Sequence, residues 1–551
     1  MTMPFCWYSR PFLALAVFLL MGFSPLRAQD PPPYQLQVDY STHGMVSSAQ
    51  PMATWAGVQI LEAGGNAADA AVAAAFAIAV VEPTMNSIGG RTQILIHLPN
   101  GEVRGIDATT QAPMTYDPET APQAGYGYAV VGVPGAVAGL VRLQSEFGTL
   151  PLETVMGPAI QYAREGFVIL PGDAARQAAG ATQAAEFEGT RQYYLKPDGT
   201  PYQAGETLVQ EDLARTLELI AKTDGEAFYR GSIAETMAAD LQANGSAVTL
   251  QSLNDYVAED AHIVRGSYRG YDLVGMYVPT AGAVAIEALQ ILENFPLSGM
   301  DAAERIAHVG QALGLAFQDW QLQGDAEAAA RVTSKAFAAE RASQIQLAQP
   351  AQISSETAVL LEGSHTTHLS AADGDGMMVA LTQTLGPNMG SKVVTPGLGF
   401  LYASTLGGYL GDMEPGERAR SFICPFMLLK DGKPIMVLGA AGGAMIPVAV
   451  VNAVVHFVDG GLPFPEAVQA PRIGPAAAGF TMETHVGAGW TPEVVEAVRA
   501  MGLEIREVAR EGAFGRIHGI RHFPASGQWE GVADPDWEGT ALGPRKGKGG
   551  K

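Results

Sequence analysis

The chain has 551 residues, 47 % hydrophobic and 16 % charged, which provides for a large packed core and excludes a disordered protein. A formal net charge of −23 opposes binding to nucleic-acid phosphates. The only cysteines, Cys6 and Cys424, exclude a disulfide scaffold.

The first element in chain order reads as an export signal over residues 1–28. Arg10 precedes the apolar run Phe12 to Phe23, and Leu26-Arg27-Ala28 forms a cleavage site before Gln29. The alternative is an uncleaved N-terminal anchor. No later apolar run reaches the roughly 18 residues of a membrane span, so none is expected once the signal is removed. Removal takes Cys6 with it and leaves Cys424, set in Phe422-Ile423-Cys424-Pro425-Phe426 and expected to be buried. Asp30 to Tyr34 is a Pro-rich lead-in.

A helical pattern begins at Ala53, and Ala70 to Val81 is so uniformly small and apolar that a helix buried on all sides is expected. Ser87-Ile88-Gly89-Gly90 is a turn, and Thr92 to Leu98 pairs with Val103 to Asp107 across Pro99-Asn100-Gly101-Glu102. Gly132-Val133-Pro134-Gly135 is a further turn before a helix. Residues from about 150 to 350 read as largely helical. Strands are then expected from Thr366 to Ala372 and Met377 to Thr384, and from Pro425 to Leu429 and Pro434 to Leu438, each pair joined by Asp-Gly turns. Gly439 to Gly443 leads into an apolar helix, Val448 to Val458, and a basic, Gly-rich tail over 539–551 is expected to be disordered. Strands with segregated helices define an α+β layered fold.

Thr366 and Thr367 lie in Ser364-His365-Thr366-Thr367-His368-Leu369-Ser370. A threonine hydroxyl is a poor nucleophile without a base. Cleavage just before it supplies one on the same residue, an α-amine with a pKa near 8. On local grounds alone the pair reads as ordinary β-branched strand residues, and only the rest of the chain favours the nucleophile. Other chemistries are poorly supported. His365 and His368 have no third metal ligand, no Gly-x-Ser-x-Gly elbow occurs, and Gly386 to Lys392 has the wrong spacing for a phosphate loop.

Taken together, the motifs resemble the gamma-glutamyltransferase family of N-terminal-nucleophile hydrolases. The resemblance rests on Leu61 to Ala73, Val133-Pro134-Gly135, Pro158-Ala159-Ile160, Ala163 to Phe167, Phe228 to Gly231 and Tyr268 to Tyr271. Thr366-Thr367-His368, Thr382-Gln383-Thr384, Lys430 to Lys433 and Gly442-Gly443 complete it. It implies a four-layer αββα sandwich made as one precursor. Cleavage between His365 and Thr366 would give a large segment, 29–365, and a small one, 366–551, that stay associated. It also implies Thr366 as nucleophile, Thr384 as the threonine that holds it, and Gly442 and Gly443 as oxyanion-hole residues. The substrate is expected to be a small-molecule amide, with no cofactor and no metal.

The resemblance weakens at substrate recognition. Thr109 stands where the family has the arginine that clamps an α-carboxylate, and Gly386 replaces an asparagine. Gly408 replaces the acidic residue that holds the α-amine, and the family's paired serines become Ser421-Phe422. Arg91, where the family continues with glycine, is either a relocated positive charge or a structural arginine. Three functions remain open: a gamma-glutamyltransferase proper (a glutathione hydrolase), an acylase or amidase with a non-glutamyl acyl group, and a catalytically silent binding relative.

Overall fold

The computed structural model describes residues 36–347, 365–410, 413–476, 479–484, 489–509, 513–536 and 538–545. The expected signal segment, the residues just before His365 and the end of the basic tail lie outside them.

The strands in chain order are β1 (Gln37–Ser41), β2 (Gly44–Ser48), β3 (Arg91–His97), β4 (Val103–Ala108), β5 (Phe167–Val168), β6 (Thr207–Leu208), β7 (Glu259–Asp260), β8 (Ile263–Tyr268) and β9 (Tyr271–Met276). They continue with β10 (His365–Asp373), β11 (Met378–Gly386), β12 (Phe426–Lys430), β13 (Lys433–Ala441), β14 (Ile473–Pro475), β15 (Phe480–Glu483), β16 (Ile505–Val508), β17 (Arg516–Phe523), β18 (Gln528–Ala533) and β19 (Thr540–Leu542). Two seven-stranded sheets dominate, in the orders β1-β18-β17-β13-β12-β9-β8 and β19-β2-β10-β11-β3-β4-β7. Both contain strands from either side of the His365–Thr366 bond, so the expected large and small segments share one core.

Three apolar layers make this a four-layer αββα sandwich. Between the sheets, Met45, Leu95, Ala380 and Met378 of one meet Val274, Met427, Val437, Ile520 and Trp529 of the other. Helix α1 (Pro51–Glu62) and helix α2 (Ala67–Val81) cover the outer face of the β10-containing sheet. Helices Gly282–Leu292, Ala302–Gln318 and Met445–Val458 cover the other. Helix α2 is buried along its whole length, because it packs between α1, its helical neighbours and the sheet. That position explains its uniformly apolar sequence.

Asp69 anchors this helical layer. It completes a capping box with Asn66 and also accepts from Gln144 Nε2, the Thr149 amide and hydroxyl, and the Leu150 amide. Burial alone would raise its pKa, but the donors from Gln144, Thr149, Asn66 and Leu150 outweigh that and hold it below the ordinary value. A depressed carboxylate stabilises the fold above its unfolded pKa of about 3.9, and the contribution is lost as pH falls through the lower folded value. Asp69→Ala, which leaves several donors unpaired, is expected to cost about 3 kcal/mol at pH 7 in urea unfolding. The difference from wild type should shrink on acidification below about pH 4.

The span 150–350 is largely helical, as expected, and is interrupted by a hairpin of β8 and β9 turning at Arg269 and Gly270, both at positive φ (50° and 82°). One expectation needs correction. Residues from 539 onward are not all tail. Strand β19 pairs with β2, and Arg545 forms an ion pair with Asp39, because the apolar Ala541 side chain is buried there. Cys424 is a buried free thiol, and burial pushes its pKa up.

Candidate active site

The site is built on adjacent strands. In the β10–β11 ladder Thr366 stands opposite Thr384, and in the β11–β3 ladder Thr384 stands opposite Arg91. Residues directly opposite in antiparallel strands share a face. Thr366, Thr384 and Arg91 therefore form one row on one side of the sheet. Alternation along β10 identifies that side. His368, on the same face as Thr366, abuts Gly439 of the second sheet, and the Ser370 hydroxyl donates to the His518 carbonyl there. The row thus faces the space between the sheets, at their edge.

A hydrogen-bonded chain links the residues. Thr366 Oγ1 donates to Thr384 Oγ1 at 3.1 Å, and Thr384 Oγ1 donates to the His365 carbonyl at 2.8 Å. The Gly386 amide also donates to Thr384 Oγ1, at 2.9 Å. The ladder register shifts between His365 and Thr366, so the backbone is irregular at this bond. Thr366 and Thr384 are 4 % and 2 % exposed, which removes most competing water. Burial and the cations Arg176, Arg516 and Lys392 push His365 down to about 3, so its imidazole is neutral. Burial lowers Lys392 to about 8. Below the row, burial also holds His368 and His518 neutral, and His368 Nδ1 bonds the Thr382 hydroxyl at 2.7 Å.

Gly442 and Gly443 follow β13 directly. Because Gly439 lies over His368 while Val437 and Ala372 share the core between the sheets, the end of β13 lies towards Thr366. Gly442 and Gly443 have φ of +156° and +52°, and their carbonyls accept from Met445 and Ile446 at the start of the next helix. A Cβ at Gly442 would stand 2.5 Å from Gly515 Cα. Arg472 fixes that facing strand by donating to the Gly515 carbonyl while paired with buried Asp534.

The expected recognition residues divide. Thr109 is not free to meet a ligand. Its amide and hydroxyl both donate to Asp107 Oδ1, and its carbonyl accepts from Tyr256. Phe422 is turned into the outer helical core, 4.1 Å from Trp320 and 5.5 Å from Phe317 between ring centroids. Ser421 is half-buried, and its backbone N–H donates a hydrogen bond to the Pro279 carbonyl. Gly386 does lie in the site, with φ +89°. The space its side chain would fill holds Tyr409 Cε1 at 2.7 Å and Arg91 Nη2 at 3.0 Å. At Gly408 a side chain would strike the Gln123 carbonyl, so no acidic residue fits that backbone. Sequence reasoning missed Tyr409 and Thr110, which flank Arg91, and Thr405, which donates to Thr110. Thr110 follows β4 while Thr405 and Tyr409 share one segment some 300 residues later, and no local pattern marks them.

An αββα sandwich with a hydroxyl at the start of a central strand, facing between the sheets, defines the N-terminal-nucleophile hydrolase class. Within that class the chain belongs to the gamma-glutamyltranspeptidase family, whose model matches residues 53–543. It is 33 % identical over 566 residues to the glutathione hydrolase proenzyme of Escherichia coli (strain K12), covering 94 % of this chain and 96 % of that one. It is 34 % identical over 501 residues to the acylase ACY 1 proenzyme of Pseudomonas sp. (strain V22), covering 84 % and 87 %. The crystal structure of cephalosporin acylase from Bacillus halodurans superposes with a TM-score of 0.85 at 30 % identity, covering 95 % of this chain and all of that one. The protein is an enzyme of this family.

Proposed function

We propose that the chain is a self-cleaving amide hydrolase or acyltransferase with Thr366 as nucleophile, acting on an acyl group other than zwitterionic γ-glutamyl. The observation that carries this reading is the chain Thr366 Oγ1 to Thr384 Oγ1 to the His365 carbonyl. In the uncut chain, Thr366 Oγ1 attacks the His365 carbonyl carbon and the His365–Thr366 C–N bond breaks, leaving an ester on Thr366 and a free α-amine. Thr384 polarises the carbonyl during attack. Water then hydrolyses the ester, releasing the His365 carboxylate. In turnover the same hydroxyl attacks a substrate amide, its proton passes to the α-amine, and the protonated amine product leaves. Gly442 and Gly443 line the developing oxyanion. The acyl ester is resolved by water or by an acceptor amine.

The non-glutamyl part of the proposal rests on Thr109 and Gly408. The first is committed to Asp107, and the second has no room for an acidic side chain. The reading includes export, with a signal removed before Gln29. Among the described residues no helix is long and apolar enough to cross a membrane.

Rates on γ-glutamyl and simple acyl anilides test the specificity, and a clear preference for γ-glutamyl would overturn it. Because the α-amine must be neutral to accept a proton, kcat/KM is expected to rise with pH through about 8. A stopped-rate profile from pH 5 to 10 that stays flat would remove the amine from the mechanism.

A further inference from the structure

Glu287 lies midway along helix Gly282–Leu292 and is fully buried, yet neither of its oxygens accepts a hydrogen bond from the described residues. What faces it is a second carboxyl group, Asp319, also buried, in the short turn Asp319–Leu322. Arg341 grips both Asp319 oxygens, at 2.6 and 2.5 Å, which holds that group as the anion.

Two adjacent carboxylates out of water do not both stay ionised. A protonated Glu287 donates the hydrogen bond that Asp319 can accept, so the pair needs one proton. Burial, and then Asp319 beside it, accordingly raise the Glu287 pKa well above the ordinary carboxyl value. The charges that oppose this shift are Arg341 and Arg331, from helices Lys335–Ala342 and Ala326–Val332. The other elements packed on this helix, Ala302–Gln318, Met445–Val458, β8 and β9, direct their titratable groups elsewhere. His308 bonds the Glu304 carbonyl, Arg305 the Met300 carbonyl, His456 the Pro471 carbonyl and Tyr268 the Asp459 carboxylate, while Arg265, Asp272 and Glu304 are exposed.

The pair sits beneath a segment that reaches the active site. Phe422 packs on Trp320, and Arg420 Nη1 donates to Gln321 Oε1 at 3.2 Å, so residues 420–422 are docked on the Asp319–Leu322 turn. One residue earlier, the Ala419 amide donates to the Thr110 carbonyl at 2.8 Å, and Thr110 meets Arg91 in the nucleophile row. At the other end, the Ala281 amide, at the start of the Glu287 helix, donates to the Ile423 carbonyl at 3.0 Å. Helix, turn and segment thus form a closed circuit of contacts.

We propose that Glu287 and Asp319 share a single proton, and that this hydrogen bond makes Glu287 a positioning residue: it ties the Asp319–Leu322 turn to helix Gly282–Leu292 and so seats residues 419–423 beside the site. Loss of the proton leaves two facing carboxylates, which push the turn off the helix and unseat the segment. This holds whichever acyl group the enzyme takes.

Glu287→Gln keeps the shape and donates to Asp319 at every pH, so it separates the proton from the packing. A carboxyl group protonated in the fold and ionised in the unfolded chain contributes stability that is full below the unfolded pKa of about 4.3 and is lost as pH rises towards the higher folded value. In urea unfolding, the folding constant of Glu287→Gln relative to wild type is therefore expected to grow about tenfold per pH unit between about pH 5 and 7. Should Glu287→Gln not fold, Glu287→Met, which also cannot ionise, reads the same slope. At neutral pH, infrared spectra of wild type should show the C=O stretch of a protonated carboxyl group that is missing from the variant. As pH passes about 9, wild type should lose anilide kcat/KM and gain tryptic cleavage after Arg420, both relative to the variant. A folding-constant ratio that stays flat, or spectra without that difference, overturns the shared proton. A kcat/KM ratio that stays flat to about pH 10 overturns the positioning role. If the protein turns over no anilide, which counts against the hydrolase reading instead, the tryptic ratio decides in its place: a rise supports the positioning role and a flat ratio overturns it.

Discussion

Thr366→Ala is expected to remain a single uncut chain and to lose all measurable amide turnover. Deleting a hydroxyl nucleophile in hydrolases costs about a million-fold in kcat. Here the deletion also removes the self-cleavage that frees the α-amine. The fold itself should survive. Thr366 contributes one hydrogen bond to Thr384, whose hydroxyl keeps its bonds to His365 and Gly386. Thr366→Ser keeps the hydroxyl and should both cleave and turn over at reduced rate. Denaturing gels and anilide rates read both outcomes. An alanine variant that still splits at this bond would show that another group attacks it.

Gly442→Ala carries the second-largest expected effect. Its new Cβ would lie 2.5 Å from Gly515 Cα, a backbone atom held in place through Arg472, so the loop must move instead. Displacing an oxyanion donor costs about 100- to 1,000-fold in kcat with little change in KM. Gly432→Ala is the control for left-handed backbone alone, since Gly432 has φ +72°, lies in the β12–β13 turn, and has open space at its Cβ. That variant is expected to lose about 1 kcal/mol of stability and no activity. Equal kinetic losses in the two variants would assign the Gly442 effect to strain.

Much of this was legible in the chain. The uniform apolarity of Ala70 to Val81 reports a helix enclosed in a layer, and the Asp-Gly turns set β10 against β11 in the register that joins Thr366 to Thr384. The hairpin of β8 and β9 was not, because its turn residues are Arg269 and Gly270 in a stretch otherwise rich in helix formers. Strand β19 was obscured by the basic residues that follow it, while its own burial depends on β2, some 500 residues earlier.

The recognition residues show the same limit more sharply. Position in a motif identified Thr109, Gly386, Ser421 and Phe422, but only tertiary packing distinguishes Gly386, which opens into the site, from Phe422, whose ring Trp320 and Phe317 enclose. The meeting of Glu287 with Asp319 likewise depends on the fold, and sequence neighbours do not reveal it.

The most direct measurement is intact mass spectrometry of the purified protein after brief mixing with an acyl anilide near pH 8 and an acid quench, which stops deacylation. The expected result is two fragments, the smaller beginning at Thr366 and carrying the acyl mass on that residue. A single uncut chain, or an acyl group on any other residue, would contradict an N-terminal threonine nucleophile.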